Sequence, residues 1–268
     1  MRTVVAITGA SSGIGAVFAK KLAPDHDLLL IARRQERLED LSRQLSSEHG
    51  TRAEVLVADL SKEDDLKRVA DRIETDSDLT LLVNNAGFGL RGLFWTTPYE
   101  QQEQMHKLHI LATLRLTHAA LRNFVPRDLG AIVNVSSVSA FIRNPGSAGY
   151  AATKSWMNAF TEGLYLELKR AKSEVVLQAL CPGFTYSEFH DVMGVDRGKT
   201  APPFFWLNAD YVVDASLDGL RRRKLFVVPG WQYRFLTTLF TKIPTNWRLA
   251  LESKPAKSPA LTSGKQLR

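Results

Sequence analysis

Short apolar runs alternate with longer amphipathic stretches through most of the chain. Val4–Ile7, Leu28–Ala32, Ala53–Ala58, Leu79–Asn84, Ala131–Ser137, Val175–Leu180 and Leu225–Val228 are dominated by Val, Leu, Ile and Ala. Continuous runs of this kind read as strands covered on both faces. Between them Ile14–Leu22, Arg34–His49, Lys62–Thr75, Tyr99–Phe124, Tyr150–Lys172 and Ala209–Arg222 read as helices. The alternation predicts one α/β domain over residues 1–230, a doubly wound parallel sheet of about seven strands with helices on both faces. Residues 231–268 read as an extension, in which Phe235, Leu236, Leu239, Phe240 and Ile243 recur at helical spacing beside Trp231, Tyr233 and Trp247.

Composition narrows the class of protein. At 268 residues and 44% hydrophobic content, the chain can bury one sizeable core. It contains no stretch of about 18 apolar residues that would predict a membrane span. It enters a strand at Thr3, which argues against a leader peptide, and its single cysteine, Cys181, suits a reducing cytoplasm and a packing role. Charge is distributed unevenly. Of 35 basic and 28 acidic residues, 11 and one lie between Arg221 and Arg268, which leaves 24 and 27 for the first 220 positions. The positive excess therefore belongs to the extension. A basic helix with an aromatic face can lie on an anionic membrane, bind an acidic carrier, or cover the body of the protein or a partner copy. No recognition motif accompanies the charge, so nucleic acid is not an expected partner. Residues 254–268, rich in Lys, Ser and Pro, read as a mobile tail.

The first strand-helix junction carries the glycine-rich run Thr8–Gly15. In such a junction Gly9 permits the tight turn, Gly13 lets backbone approach a pyrophosphate, and Gly15 lets the helix pack on its strand. The freed amides and the helix N-terminus form a phosphate site. The second strand ends in Ala32-Arg33-Arg34, with no acid before Glu36, where an NAD enzyme would place a carboxylate on the ribose 2′-hydroxyl. Two guanidinium groups suit a 2′-phosphate instead, which favours NADP(H).

Three further residues carry reaction chemistry. Ser137 ends the apolar run 131–137, Tyr150 follows thirteen residues later, and Lys154 lies four beyond Tyr150. That last spacing puts the phenol and the ammonium on one helix face, where the cation is expected to lower the tyrosine pKa by about 1–3 units and fit it for acid-base work. Ser137, at the carboxyl edge of a parallel sheet, can hold the same substrate oxygen.

Together these residues resemble the short-chain dehydrogenase/reductase family. The match comprises Thr8–Gly15, Asp59, Asn84-Asn85-Ala86-Gly87, Ser137, Tyr150, Lys154 and Pro182-Gly183, and spans residues 3 to about 190. The run CPGFTYSEFH is most similar to a bacterial subgroup of broad-specificity reductases. The resemblance implies a Rossmann-type fold and an NADP(H)-dependent oxidoreductase acting on carbonyl and alcohol groups. It makes Ser137, Tyr150 and Lys154 catalytic, with Lys154 also on the ribose and no metal. Cofactor contacts are implied for Gly9, Ser11, Ser12, Gly13, Ile14, Gly15, Arg33, Arg34, Asp59, Leu60, Asn84, Asn85, Ala86, Gly87, Tyr150, Lys154, Pro182, Gly183, Phe184 and Thr185. By the same resemblance Asp59 meets the adenine amino group, although by itself it could cap the following helix. The turn Asn84–Gly87 could close on the cofactor ribose or brace the sheet.

His109 departs from the family, which usually carries Asn there in a proton relay. The histidine could keep that relay or be a satisfied residue of the helix. Residues 186–207 correspond to the family's lid. Phe189, Val192, Met193, Pro202–Trp206 and, across from them, Phe88, Leu90, Leu93, Phe94 and Trp95 suggest an apolar substrate, or ordinary packing. A homodimer or homotetramer through the helices from Tyr99 and Tyr150 is implied as well. The principal reading is a ketone or aldehyde reductase, cytoplasmic or peripheral to a membrane. A 3-oxoacyl thioester reductase is the alternative, and a catalytically silent NADP-binding regulator or scaffold is the rival from another class.

Overall fold

The computed structural model describes residues 2–188 and 201–253. All five residues of β1 (Val4–Thr8) are buried, as a central parallel strand requires. The larger sheet contains β1, β2 (Asp27–Ala32), β3 (Ala53–Val57), β4 (Leu79–Asn84), β5 (Ala131–Val135) and β6 (Val176–Leu180). After the small parallel pair β7 (Thr185–Tyr186) and β8 (Leu207–Asn208) comes β9 (Phe226–Val227), the seventh strand of the larger sheet. The order is β3-β2-β1-β4-β5-β6-β9, every pairing parallel.

Successive side chains of the sheet enter opposite helical layers. Val5 and Ile7 pack with Phe18 and Leu22 of α1 (Gly13–Leu22), Leu38 and Leu45 of α2 (Gln35–His49) and, further along the chain, Val212. Val4 and Ala6 face the other way, toward Val69 and Ile73 of α3 (Glu63–Thr75). That second layer also holds Leu116 and Phe124, which belong to the long helical region starting at Tyr99. The connections leave β1 toward β2 on one side and β4 on the other, so a crevice opens where the carboxyl ends of β1 and β4 diverge.

The segment Tyr99–Phe124, read as one helix, is interrupted. It divides into α4 (Tyr99–His106), a π-helical turn (Lys107–Ala112) and α5 (Thr113–Arg127). A π-turn admits one more residue than an α-turn and rotates the side chains that follow it, a feature common at functional sites. The helix from Tyr150 begins slightly earlier, as α6 (Ala148–Ala171), and the later α-helices among the described residues are α7 (Ala209–Arg221), α8 (Trp231–Lys242) and α9 (Thr245–Glu252). The boundary at residue 230 falls at the start of α8, whose Tyr233 is 4% exposed and joins the first core layer. Phe189, Val192, Met193 and the tail 254–268 lie outside the described residues.

Phe124 is fully buried, and a Cβ on Gly130 would run into its ring, so this layer has no slack to collapse into a void. Phe124→Ala should therefore lower unfolding free energy by about 3–5 kcal/mol in urea titrations. Trp247→Ala, at a residue 73% exposed, should stay within about 0.5 kcal/mol of the parent.

Candidate active site

The crevice is built by two turns that clamp each other. Thr8 Oγ1 accepts the N–H groups of Asn85 (2.9 Å) and Ala86 (3.0 Å) and donates to Val83 O (3.2 Å). Asn85 Nδ2 returns to Thr8 O at 2.9 Å and Gly9 O at 3.3 Å. Gly9 has φ +67°, and a Cβ there would lie 2.8 Å from Asn85 Nδ2 and 2.9 Å from Ala86 Cα, so glycine is required on two grounds. Asn84 is committed to the sheet, donating to Thr117 Oγ1 (3.0 Å) and Asn134 Oδ1 (2.9 Å), while Asn134 donates to Thr161 Oγ1 (2.9 Å). In this structure the amides of Asn84 and Asn85 brace the sheet and the glycine turn.

The N-terminus of α1 suits an anion. Its N-cap residue, Ser12, makes no side-chain capping bond, and its first turn contains no acid. The positive end of the helix dipole and its first amides are thus available to a phosphate. Ser12 Oγ instead accepts from Arg34 Nη2 at 2.6 Å, and Ser11 Oγ accepts from Arg34 Nε and Nη2 at 3.1 and 3.0 Å. Arg34, though exposed like Arg33, is therefore drawn over the glycine turn. Asp59 closes a local turn: its Oδ1 accepts from Ser61 N (3.1 Å) and Ser61 Oγ (2.7 Å), and its own N–H donates to Asp65 Oδ2 at 2.8 Å. Leu60 beside it is buried. The uncapped helix end and the glycine turn fit the diphosphate of a dinucleotide.

Ser137 leaves β5 toward the same edge, and α6 brings Tyr150 and Lys154 to it. Crowding around the Tyr150 hydroxyl pushes the phenol up to about 12, and a hydrogen bond with Ser137 acts in the opposite direction. The expected depression of this group by Lys154 is absent. The ammonium lies 5.7 Å from the Tyr150 ring centroid and donates to Val135 O at 2.7 Å, and its own burial pushes it down to about 8. Burial thus sets the direction of the phenol's shift, against the hydrogen bond with Ser137. Cys181, just after β6, is buried, which pushes its thiol up to about 12.

His109 is fully buried in the π-turn, with Tyr150 5.8 Å and Phe88 6.2 Å away between ring centroids. Its Nε2 accepts from Phe88 N–H at 3.1 Å, since a backbone N–H can only donate, so the neutral ring carries its proton on Nδ1. Nδ1 donates to Thr153 Oγ1 at 3.0 Å, and Thr153 Oγ1 donates to Tyr150 O at 2.9 Å. Burial, with Lys154 and His106 adding positive charge, holds the imidazole well below its ordinary pKa. Both ring nitrogens are engaged by the protein itself. A Cβ on Gly87 would come within 2.6 Å of Nε2, so the glycine makes room for this ring.

After β6, Pro182 and Thr185 are buried, Thr185 Oγ1 donating to Gly183 O at 3.0 Å. Phe184 N–H donates to Tyr233 Oη (2.9 Å), which donates to Phe205 O (2.6 Å), so α8 fastens both sides of the segment read as a lid. A Cβ on Gly183 would overlap the Tyr233 ring. Phe184 and Tyr186 flank Trp206 at centroid distances of 5.2 and 5.3 Å. The local pattern around Tyr233 places it with the carboxyl-terminal extension, and only the fold brings it to this region. Arg37 and Glu188, which meet beside Arg34, lie outside the motifs that mark the other site residues. Arg37, three residues beyond Arg34, shares its helix face and was legible in principle. Glu188 was not, because only the fold brings it there.

Comparisons with known proteins agree with this geometry. A family model described as short chain dehydrogenase matches residues 3–196. A short-chain dehydrogenase from Sphingobium yanoikuyae in complex with NADPH superposes with a TM-score of 0.81 at 36% identity, covering 91% of this chain and 97% of that one. The bulky-bulky ketone specific alcohol dehydrogenase from Comamonas testosteroni gives 0.77 at 31% identity, with 91% and 95% covered. The 3-oxoacyl-(acyl-carrier-protein) reductase of Aquifex aeolicus is 30% identical over 70% of this chain and 75% of its own length.

The depressed pKa of Lys154 has a thermodynamic consequence. Between about 8 and 10.5 the unfolded chain holds a proton that the native state has released. The penalty for burying the ammonium is therefore complete below pH 8 and fades as pH rises toward 10.5. Lys154→Met removes that penalty. Its unfolding free energy relative to the parent should fall by on the order of 3 kcal/mol between about pH 7 and about pH 10.5 in denaturant titrations, and an unchanging difference would refute the strained ammonium.

Proposed function

The chain belongs to the short-chain dehydrogenases, oxidoreductases that use a nicotinamide cofactor, and on that premise we propose that it is an NADP(H)-dependent reductase of apolar ketones or aldehydes. The observation that carries this reading is the convergence of Ser137, Tyr150 and Lys154 beside the glycine turn over which Arg34 is drawn. Bound NADPH supplies the hydride. Ser137 Oγ holds the substrate oxygen, and Tyr150 Oη delivers the proton to it. A phenol near 12 is protonated at neutral pH, which suits the reducing direction, since a developing alkoxide is more basic than a phenolate. Lys154 supplies positive charge beneath the phenol and a donor for the ribose. Ser11, Ser12, Gly13 and Ile14 hold the diphosphate, and Arg34 the 2′-phosphate. His109 has a positioning role: through Thr153 and Phe88 it fixes the backbone around Tyr150 and the turn after Gly87.

Exposed Phe94 and Trp95 and the cluster Phe184, Tyr186, Trp206 support an apolar substrate. The Comamonas testosteroni relative, by its name, takes bulky ketones, whereas the Aquifex aeolicus relative favours including 3-oxoacyl thioesters in any substrate panel. Leu111, Leu114, Tyr165 and Leu166 are exposed on the helical regions from Tyr99 and Tyr150, which supports a homo-oligomer built on them. On α8, Trp231, Phe235 and Leu239 are exposed at intervals of four residues beside Arg234 and Lys242, which supports peripheral contact with an anionic membrane.

Tyr150→Phe should lower turnover of an accepted ketone by about 10²–10⁴-fold while leaving NADPH binding in fluorescence titrations intact. If turnover survives, the proton comes from elsewhere. Co-sedimentation with vesicles containing phosphatidylserine should weaken in salt and fail with Phe235→Ser. Equal binding to neutral vesicles would remove the electrostatic part of the membrane reading.

A further inference from the structure

The arginine at the edge of the glycine turn already holds an anion, and that anion belongs to the protein. Arg34 Nη1 donates to Glu188 Oε2 at 2.8 Å, and Arg37 Nη1 to Glu188 Oε1 at 2.5 Å. The two arginines, three residues apart at the start of α2, thus grip one carboxylate, each oxygen taken by a different guanidinium. Arg34 turns its remaining donors to Ser11 and Ser12, so its orientation is set by the turn. The neighbouring residue, Ser187, lies over the same turn: a Cβ on Gly13 would come within 3.2 Å of Ser187 Cβ. The stretch entering from β7 therefore rests on the phosphate end of the crevice, with its carboxylate at the guanidinium pair.

Carboxylates and phosphates present oxygens to the same guanidinium donors in the same fork geometry, so one can displace the other. The hydrogen bonds from Arg34 and Arg37 hold the Glu188 carboxyl below its ordinary pKa, which keeps it ionised at neutral pH. We propose that Glu188 is a specificity-determining residue that occupies Arg34 and Arg37 until the 2′-phosphate of the cofactor displaces it. The proposal rests on the NADP(H) reading of Arg34. It makes Arg37 a second half of the phosphate clamp, and it makes release of Glu188 a consequence of binding a phosphorylated rather than an unphosphorylated adenosine. A cofactor without that phosphate leaves the carboxylate in place.

Calorimetric titration with adenosine 2′,5′-bisphosphate and with 5′-AMP tests this without turnover. In the parent protein the bisphosphate should bind more tightly. Glu188→Gln keeps the shape of the side chain and removes its charge, and it should tighten the bisphosphate about fivefold while leaving 5′-AMP unchanged. An unchanged or weakened bisphosphate affinity in Glu188→Gln, with the parent still preferring the bisphosphate, would overturn the competition and leave the NADP(H) reading standing. Equal tightening of both ligands would also overturn it, because it would mean that Glu188 obstructs the crevice rather than competing for the arginines. If the parent shows no preference for the bisphosphate, the NADP(H) reading fails and the proposal falls with it.

Discussion

The site depends on the mutual clamp between the turn after β1 and the turn after β4. A parallel sheet ends in unpaired backbone groups at its carboxyl edge, and buried groups of that kind must find partners. Thr8 Oγ1 and Asn85 Nδ2 supply them between the two turns. One layer deeper, Asn84, Asn134, Thr117 and Thr161 link β4 and β5 to the helices α5 and α6 through side chains alone. These bonds tie the register of β4 and β5 to the helices beside them, although Asn84 Oδ1 is buried without a hydrogen-bond partner among the described residues. The glycine turn, Ser137 and Tyr150 are held relative to one another because each is anchored to this lattice or to the element next to it.

Within that frame, electrostatics follows burial more than charge pairing. Lys154 and Tyr150 share a helix face, yet the ammonium directs one of its three donors to Val135 O, and both groups are shifted toward their neutral forms. At the crevice rim the balance is reversed. Arg34, Arg37 and Glu188 are 43–50% exposed, and there charges pair with one another in reach of solvent. The protein thus places a protonated phenol on a half-buried side chain and a cluster of ionised groups at the crevice rim.

The carboxyl-terminal helices extend the same wall. Tyr233 from α8 ties Phe184 to Phe205, and Gly183 is bare because the tyrosine ring fills the space its Cβ would need. The opposite face of α8 keeps its aromatic residues outward. One helix therefore fastens Phe184 and Phe205 with its buried face and carries Trp231, Phe235 and Leu239 exposed on the other.

The sequence alone determined the class of fold and pointed to the candidate residues that the fold brings together at the crevice. Continuous apolar runs alternating with amphipathic ones leave few alternatives to a doubly wound sheet, and the glycine turn, Ser137, Tyr150 and Lys154 are recognisable because their spacing is local or tied to the end of a strand. Their relationships across the fold were another matter. That the Tyr150 phenol is raised rather than lowered depends on how many atoms surround it, which spacing cannot report. That both nitrogens of His109 are engaged depends on Phe88 and Thr153 arriving from separate segments. The π-turn that carries it has no signature in apolar periodicity, and β7 and β8, two residues each, are too short to have one. Glu188 meets Arg34 across 154 residues. Only the packed chain could bring that pair together, because long-range charge contacts follow from topology and leave no local pattern to read.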